Sequence, residues 1–399
     1  MTVIFWLSLL ILGYTYIGYP LVLRVLVAWR KQWRARREAR EARLPSHLRG
    51  REKSTPEGEV TVGPPSISIV LIVYNEAERI DARIENLAQC EYPGQRELIV
   101  VCGGCTDDTA ERARRGSTRL ETRVIEREGR ASKAAGLNCG VAEATGEILI
   151  FADARQQFNK YAIARLVAPF SDPDVAGVSG NLEIASTEDG AGAGIDAYWK
   201  LERWIRRLES DWDAVVGCTG AIYALRRSAF EPLPEDTILD DVVIPMQAVM
   251  AGKRVLFESE ALAFDPQSLS PEKESRRKIR TLAGNYQMLF RYPEWLSPRR
   301  NRTWWQVISH KYLRLAGPFF LAACLIASGW LAQENSFYAL AFGGQIFCYL
   351  LAAIGMVFRG IRSPMITAPA GFVFLQWQGL RAFFHYLRLR RSSQAGVWS

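Results

Sequence analysis

The chain carries a few acids and cations at positions from which side chains can reach a shared ligand. Asp153 follows Ile148 to Ala152, a short apolar run rich in branched and aromatic residues that reads as a buried strand. In an open α/β sheet ligands collect beyond the carboxyl ends of the strands, so Asp153 and the following Arg155 face a cleft, unless Asp153 only caps the next helix. Lys133 lies near the start of a helical pattern, Ser132 to Glu143, where an ammonium suits a diphosphate if it is not simply solvated. Asp240 and Asp241 open another helix, either as working carboxylates or as cap and first-turn acids. Arg277 and Arg280, three apart, share one helical face that can meet a diphosphate, a membrane surface or only water.

Such residues need a scaffold, and the middle of the chain supplies one. From Ser66 to about Glu258 short apolar runs alternate with helical patterns, the mark of a mostly parallel sheet with helices on both faces. Strands are expected at Ser66 to Val73, Glu97 to Val101, Arg123 to Glu126, Ile148 to Ala152, Val175 to Ile184, Ala221 to Leu225 and Arg254 to Phe257. Helices are expected at Ala77 to Gln89, Thr106 to Arg115, Ser132 to Glu143, Lys160 to Phe170, Ile195 to Glu209, Val242 to Ala251 and Pro271 to Phe290.

The two ends are apolar. Val3 to Trp29 has no charge before Arg24 and exceeds the roughly 20 residues a spanning helix needs. A signal peptide fits less well, because the basic residues follow the apolar run and no small-residue cleavage site closes it. Leu313 to Leu331 and Phe337 to Phe358 are also long enough to span. Met365 to Leu387 is broken by Pro369 and Gly371 and reads as an interfacial or re-entrant element. These features divide the chain into an N-terminal spanning helix (1–29), a basic juxtamembrane helix and linker (30–65), an α/β domain (66–297) and C-terminal interfacial and spanning helices (298–399).

The net charge of +8 owes much to arginines and a lysine just after the first helix, from Arg30 to Arg51. Basic flanks mark the cytoplasmic side of a span, which places the α/β domain in the cytoplasm with the basic run near anionic lipid heads. No aromatic-and-basic surface accompanies it, so nucleic acid is not the expected partner. Seven cysteines, an odd number, form no disulfide framework and fit a reduced compartment. Cys102 and Cys105 lack a second pair of ligands and read as small loop residues, while the three histidines lie in unrelated sequence contexts.

Read together in order, Val73-Tyr74-Asn75-Glu76, Thr106-Asp107, Lys133 with Leu137-Asn138, Asp153, and Asp240-Asp241 resemble the membrane-bound enzymes of glycosyltransferase family 2. The flanking helices match its cellulose-synthase-like and hyaluronan-synthase-like branch. The resemblance implies a GT-A fold that takes a sugar from a nucleotide diphosphate donor, UDP-linked by family default. It implies a lipid-linked or glycan acceptor in exopolysaccharide or envelope glycan synthesis, and a bacterial inner membrane.

By the same resemblance Tyr74, Asn75 and Glu76 lie beside the nucleotide, Lys133 reaches phosphate, and Asp241, with Asp240 beside it, is the general base. Asp153 matches the first acid of the Asp-x-Asp motif that holds magnesium or manganese, but Arg155 replaces the second acid. That puts the metal in doubt and suggests that Arg155 supplies part of the missing charge. Gly103 stands where the family commonly has an acid for the base of the nucleotide. Arg280 matches the arginine of the processive Gln-x-x-Arg-Trp motif, with Arg277 for glutamine and Thr281 for tryptophan. Loss of that stacking aromatic argues against a long-polymer synthase. A processive synthase and a catalytically silent assembly subunit are the alternatives.

Overall fold

A computed structural model describes residues 1–42, 63–116, 118–184, 191–265, 271–358, 361 and 363–391. The chain begins with α1 (Thr2–Gly13), a π turn at Tyr14–Gly18 and α2 (Tyr19–Ala42). The expected linker beyond α2 lies mostly outside the described residues. Then follow β1 (Ile67–Val73), α3 (Ile80–Gln89), β2 (Arg96–Gly103), α4 (Thr109–Arg115), β3 (Glu121–Arg127), α5 (Lys133–Ala142), β4 (Ile148–Ala152) and β5 (Gln157–Phe158). The second half holds α6 (Ala162–Val167), β6 (Val175–Ile184), α7 (Ala191–Trp212), β7 (Ile222–Arg226), α8 (Asp240–Met250), β8 (Arg254–Asp265) and α9 (Pro271–Arg291). After α10 (Trp304–Gln306) and a π turn at Val307–Tyr312 come α11 (Leu313–Leu331), α12 (Ser336–Val357) and α13 (Pro364–Arg391).

The strands form one sheet in the order β3-β2-β1-β4-β7-β6-β8-β5. β1, β2, β3 and β4 are mutually parallel, β7 runs against β4 and β6, and β5 runs against β8. Strands covered on both faces read as unbroken branched runs, as β1 (ISIVLIV) and β4 (ILIFA) do. One face packs Ile80, Ile84 and Leu87 of α3 with Ile163 and Leu166 of α6. The other packs Leu137 of α5, Val243 and Met246 of α8 and Tyr286 of α9, and runs on into Leu315 of α11 and Ala382 of α13.

Among the described residues three helical segments are long and apolar enough to cross a membrane: Thr2–Arg37, Trp304–Leu331 and Ser336–Val357. Phe5 of α1 packs with Cys324, Ala327 and Leu331 of α11. Tyr19, Leu23 and Val27 of α2 pack on Ile205 and Leu208 of α7, so the first span is joined to the α/β domain. Polar contacts extend the joint: Tyr19 donates to Glu209 at 2.6 Å, and the Trp305 indole donates to the Tyr14 hydroxyl at 2.6 Å. The expected break at Pro369 and Gly371 does not occur. Pro369 removes one backbone donor near the start of α13, and packing against α12 and α9 carries the helix through.

Candidate functional site

Ser132 caps α5, its hydroxyl accepting the Ala135 N–H at 3.1 Å, and so makes Lys133 the first helical residue. Gly136 and Gly140 let α5 lie close on the sheet, since a Cβ there would stand 2.7 Å from Ile72 and 2.8 Å from Val70. The helix start is thereby held over the ends of β1 and β4. There Lys133 Nζ lies 3.1 Å from Asp153 Oδ1 and 3.3 Å from Asp240 Oδ2. Burial works against the ammonium, but Asp153, then Asp240 and Asp241, hold it above the ordinary lysine value.

Asp240 is buried and Asp241 follows it in the first turn of α8. Burial raises Asp240 to about 6, with Asp241 and Asp153 adding to the rise and Lys133 opposing it. Asp241 is positioned by the loop Gly217 to Gly220: its Oδ2 accepts the Gly220 N–H at 3.1 Å and its carbonyl accepts the Cys218 N–H at 2.7 Å. Gly220 is tightly placed: a Cβ would stand 3.0 Å from Asp241 Oδ2, so the carboxylate would have to give by a few tenths of an ångström.

The other expected residues divide. Tyr74 is exposed at the end of β1, with the Arg130 guanidinium 4.8 Å from its ring centroid. Asn75 adopts a left-handed backbone (φ 53°) and clasps Thr106, accepting its N–H at 2.9 Å. Glu76 pairs with Arg79 at 2.7 Å, so both Asn75 and Glu76 brace the loop itself. Arg155 is held by Asp265, 2.5 Å away, and Gln156 donates to the same carboxylate oxygen at 3.2 Å. Arg277 approaches that oxygen at 3.7 Å, whereas Arg280, one turn on, is exposed. The arginine that was to supply charge beside Asp153 is thus already shared with a buried acid.

Sequence reasoning missed several polar groups. Asp265 gathers Arg155, Gln156 and Arg277. Arg83 is buried on α3 with its guanidinium 4.2 Å from the Phe158 ring centroid, and burial lowers it to about 10. Tyr223 is buried against Phe151, its hydroxyl in the fields of Asp240, Asp241 and Asp153. His310 meets Glu202 and Glu209, acids that sequence reasoning did not connect with it, in one buried cluster. The ring lies 2.8 Å from Glu209 and 3.0 Å from Glu202, and Glu202 also binds Arg206 and Arg314. Apart from Glu202 with Arg206, one helical turn on, and Asp265 with Arg277, these pairs have no local signal, because the partners lie far apart along the chain.

The donor set is a poor match for a divalent ion. Among the described residues no three histidine, cysteine or acidic side chains converge as metal ligands, and Asp153 is paired with an ammonium and followed by an arginine. Hard cations of this kind take several oxygen ligands. Here Lys133 stands between Asp153 and Asp240 as a cation would.

Residues 68–233 match the model of glycosyl transferase family 2. Over 233 residues the chain is 24% identical to the poly-beta-1,6-N-acetyl-D-glucosamine synthase of Staphylococcus epidermidis, a match covering 56% of each chain. The synthase of the same name from Staphylococcus aureus (strain COL) is equally similar, at 24% over 56% of each chain. The chain thus spans about half the length of the curated relatives it matches. Among solved structures, the mannosyltransferase PcManGT from Pyrobaculum calidifontis, in complex with GDP-Man and Mn2+, superposes with a TM-score of 0.68. That likeness covers 96% of this chain and 99% of that one at 21% identity. Strand order and superposition agree on the GT-A fold for the α/β domain, and residues 68–233 within it are similar to glycosyl transferase family 2.

Proposed function

We propose that the protein is an inverting, membrane-anchored glycosyltransferase that moves a sugar from a nucleotide diphosphate donor to a lipid-linked or oligosaccharide acceptor. The observation that carries this reading is the meeting of Lys133 with Asp153 and Asp240 beside Asp241, from three separate elements, at the carboxyl end of the sheet. The acceptor hydroxyl attacks the anomeric carbon and passes its proton to Asp241. The bond from that carbon to the diphosphate breaks, and its electron pair leaves with the nucleoside diphosphate. Lys133 carries three N–H donors and lies between two acids, and a donor turned from them can meet the departing phosphate. Tyr74 and its loop flank the nucleotide, and Arg155 and Arg277 can turn from Asp265 to a phosphate. No step needs a bound ion; the Mn2+ of the solved mannosyltransferase is the reason to test one.

The family argues for UDP-sugars, and the GDP-Man complex argues for adding GDP-sugars to the panel. The three apolar helices support residence in a membrane, and the basic residues of α2 favour a cytoplasmic cleft, as in a bacterial inner membrane. A processive synthase is the second reading, favoured by the names of the curated relatives. Thr281 speaks against it, since its hydroxyl is turned back onto the Arg277 carbonyl and offers no stacking surface. The test is transfer by the full chain in detergent, with labelled donors and membrane lipid extract. Product of one added sugar, lost in Asp241→Asn, supports the proposal. Donor binding without any transfer would leave a silent assembly subunit instead.

A further inference from the structure

A second cation borders Asp241, and it comes from the membrane side. Lys311 lies in the π turn Val307–Tyr312, within the apolar segment Trp304–Leu331. The loop that holds Asp241 also faces this lysine: a Cβ on Gly217, whose φ is +151°, would lie 3.3 Å from Lys311 Nζ. On the same loop, the buried Cys218 thiol lies in the fields of Arg206, Asp241 and Lys311 together. Arg206 donates to Thr219 Oγ1 at 2.7 Å. Four residues of loop therefore separate the carboxylate of Asp241 from two cations.

The two cations differ in their engagement. Arg206 and Arg314 are ion-paired with Glu202, and His310 lies between Glu202 and Glu209. Among the described residues the Lys311 side chain makes no hydrogen bond and has no acidic oxygen within 4 Å, and the residue is half-buried. An ammonium in an apolar helix is costly and marks a ligand path when no fixed partner neutralises it. Its place beside the base and on a membrane helix is that of the acceptor, while Lys133 attends the donor side.

We propose that Lys311, with Arg206 behind the same loop, binds an anionic oxygen group carried by the acceptor, a phosphate or a carboxylate, and so sets the acceptor hydroxyl against Asp241. The inference deepens the glycosyltransferase reading and rests on it for the word acceptor. Anion binding at Lys311 is measurable without turnover.

The experiment uses the full chain in a neutral maltoside detergent, titrated with dodecyl phosphate, dodecyl β-glucuronide and the uncharged dodecyl β-glucoside, and read by tryptophan fluorescence. The parent should bind an anionic probe in preference to the glucoside. A phosphate preference identifies a phosphate-bearing lipid, and a glucuronide preference an acidic glycan. Lys311→Met should weaken the preferred anion by about tenfold or more, the worth of one charged hydrogen bond. It should leave nucleoside diphosphate affinity in place, and Lys311→Arg should recover most of the loss. Lys311→Gln, closer in polarity, serves if the methionine variant does not fold. Equal binding of charged and neutral probes, an unchanged anion affinity in both neutral variants, or a parallel loss of nucleotide affinity would overturn the assignment. Anion binding through Lys311 in a chain that transfers no sugar would sink the transferase reading alone.

Discussion

Replacing Asp240 with asparagine tests the electrostatics of the cleft through stability. Burial lifts the Asp240 carboxyl from 3.8 to about 6, even with Lys133 pulling it down. At ~1.4 kcal/mol per pH unit, that gap of about two units makes the ionised side chain cost the folded state roughly 3 kcal/mol. The folded value lies above the unfolded one, so the native chain binds more protons in the window between them. The cost is absent below about pH 4, grows through that window and is complete above about pH 6. Asparagine keeps the shape and drops the charge, and Lys133 retains Asp153 at 3.1 Å. Asp240→Asn should therefore melt higher than the parent at about pH 8, by up to roughly 3 kcal/mol, and match it at about pH 4. Melts of the full chain in detergent across that range measure the difference. A variant less stable at the higher pH, or a difference that does not change with pH, would refute the reasoning.

Other outcomes follow from the same geometry. Asp241→Asn should lower transfer by about 100-fold or more while donor affinity holds, as read by initial rates and nucleotide titration. Gly220→Ala should keep the fold yet lose about tenfold to 100-fold in rate, because the new Cβ would stand 3.0 Å from Asp241 Oδ2 and push the carboxylate aside. The rate should fall as pH drops through about 6, where Asp240 takes up a proton and Lys133 loses one of its charged partners, and a flat profile would contradict it. With Lys133 in the place of a cation, transfer should persist in excess chelator and be lost in Lys133→Met. Strict dependence on added manganese would reverse that assignment.

Much of the architecture was legible because long branched runs leave little choice. Ile148–Ala152 and Val175–Ile184 are strands at the expected bounds. β8 runs on to Asp265, past the expected end at Phe257: Glu258, Ser259 and Glu260 break the apolar run and fall in a bulge in the register with β6, and pairing resumes at Leu262 opposite Asn181. β5 has only two residues, too few for any period. Of the expected site, Lys133, Asp153, Asp240 and Asp241 carry a local signal, a helix start or a strand end. Asp265, Arg83 and Lys311 do not, since each gains its meaning from a neighbour that the topology brings in from far along the chain. Arg155 was visible as a residue but not as a partner of Asp265, so its free charge was overestimated from sequence.

The joint between α2 and α7 bears on how this protein can be handled. Because Tyr19 caps Glu209 and the Tyr14 hydroxyl is shared by Trp305 and Ser309, the first apolar helix serves as a wall of the α/β domain and is more than a tether. A fragment trimmed after residue 42 would bare Ile205 and Leu208 to water and strip Glu209 of the phenol that solvates it. Excising the hydrophobic ends to isolate the α/β domain would remove part of what keeps that domain in shape.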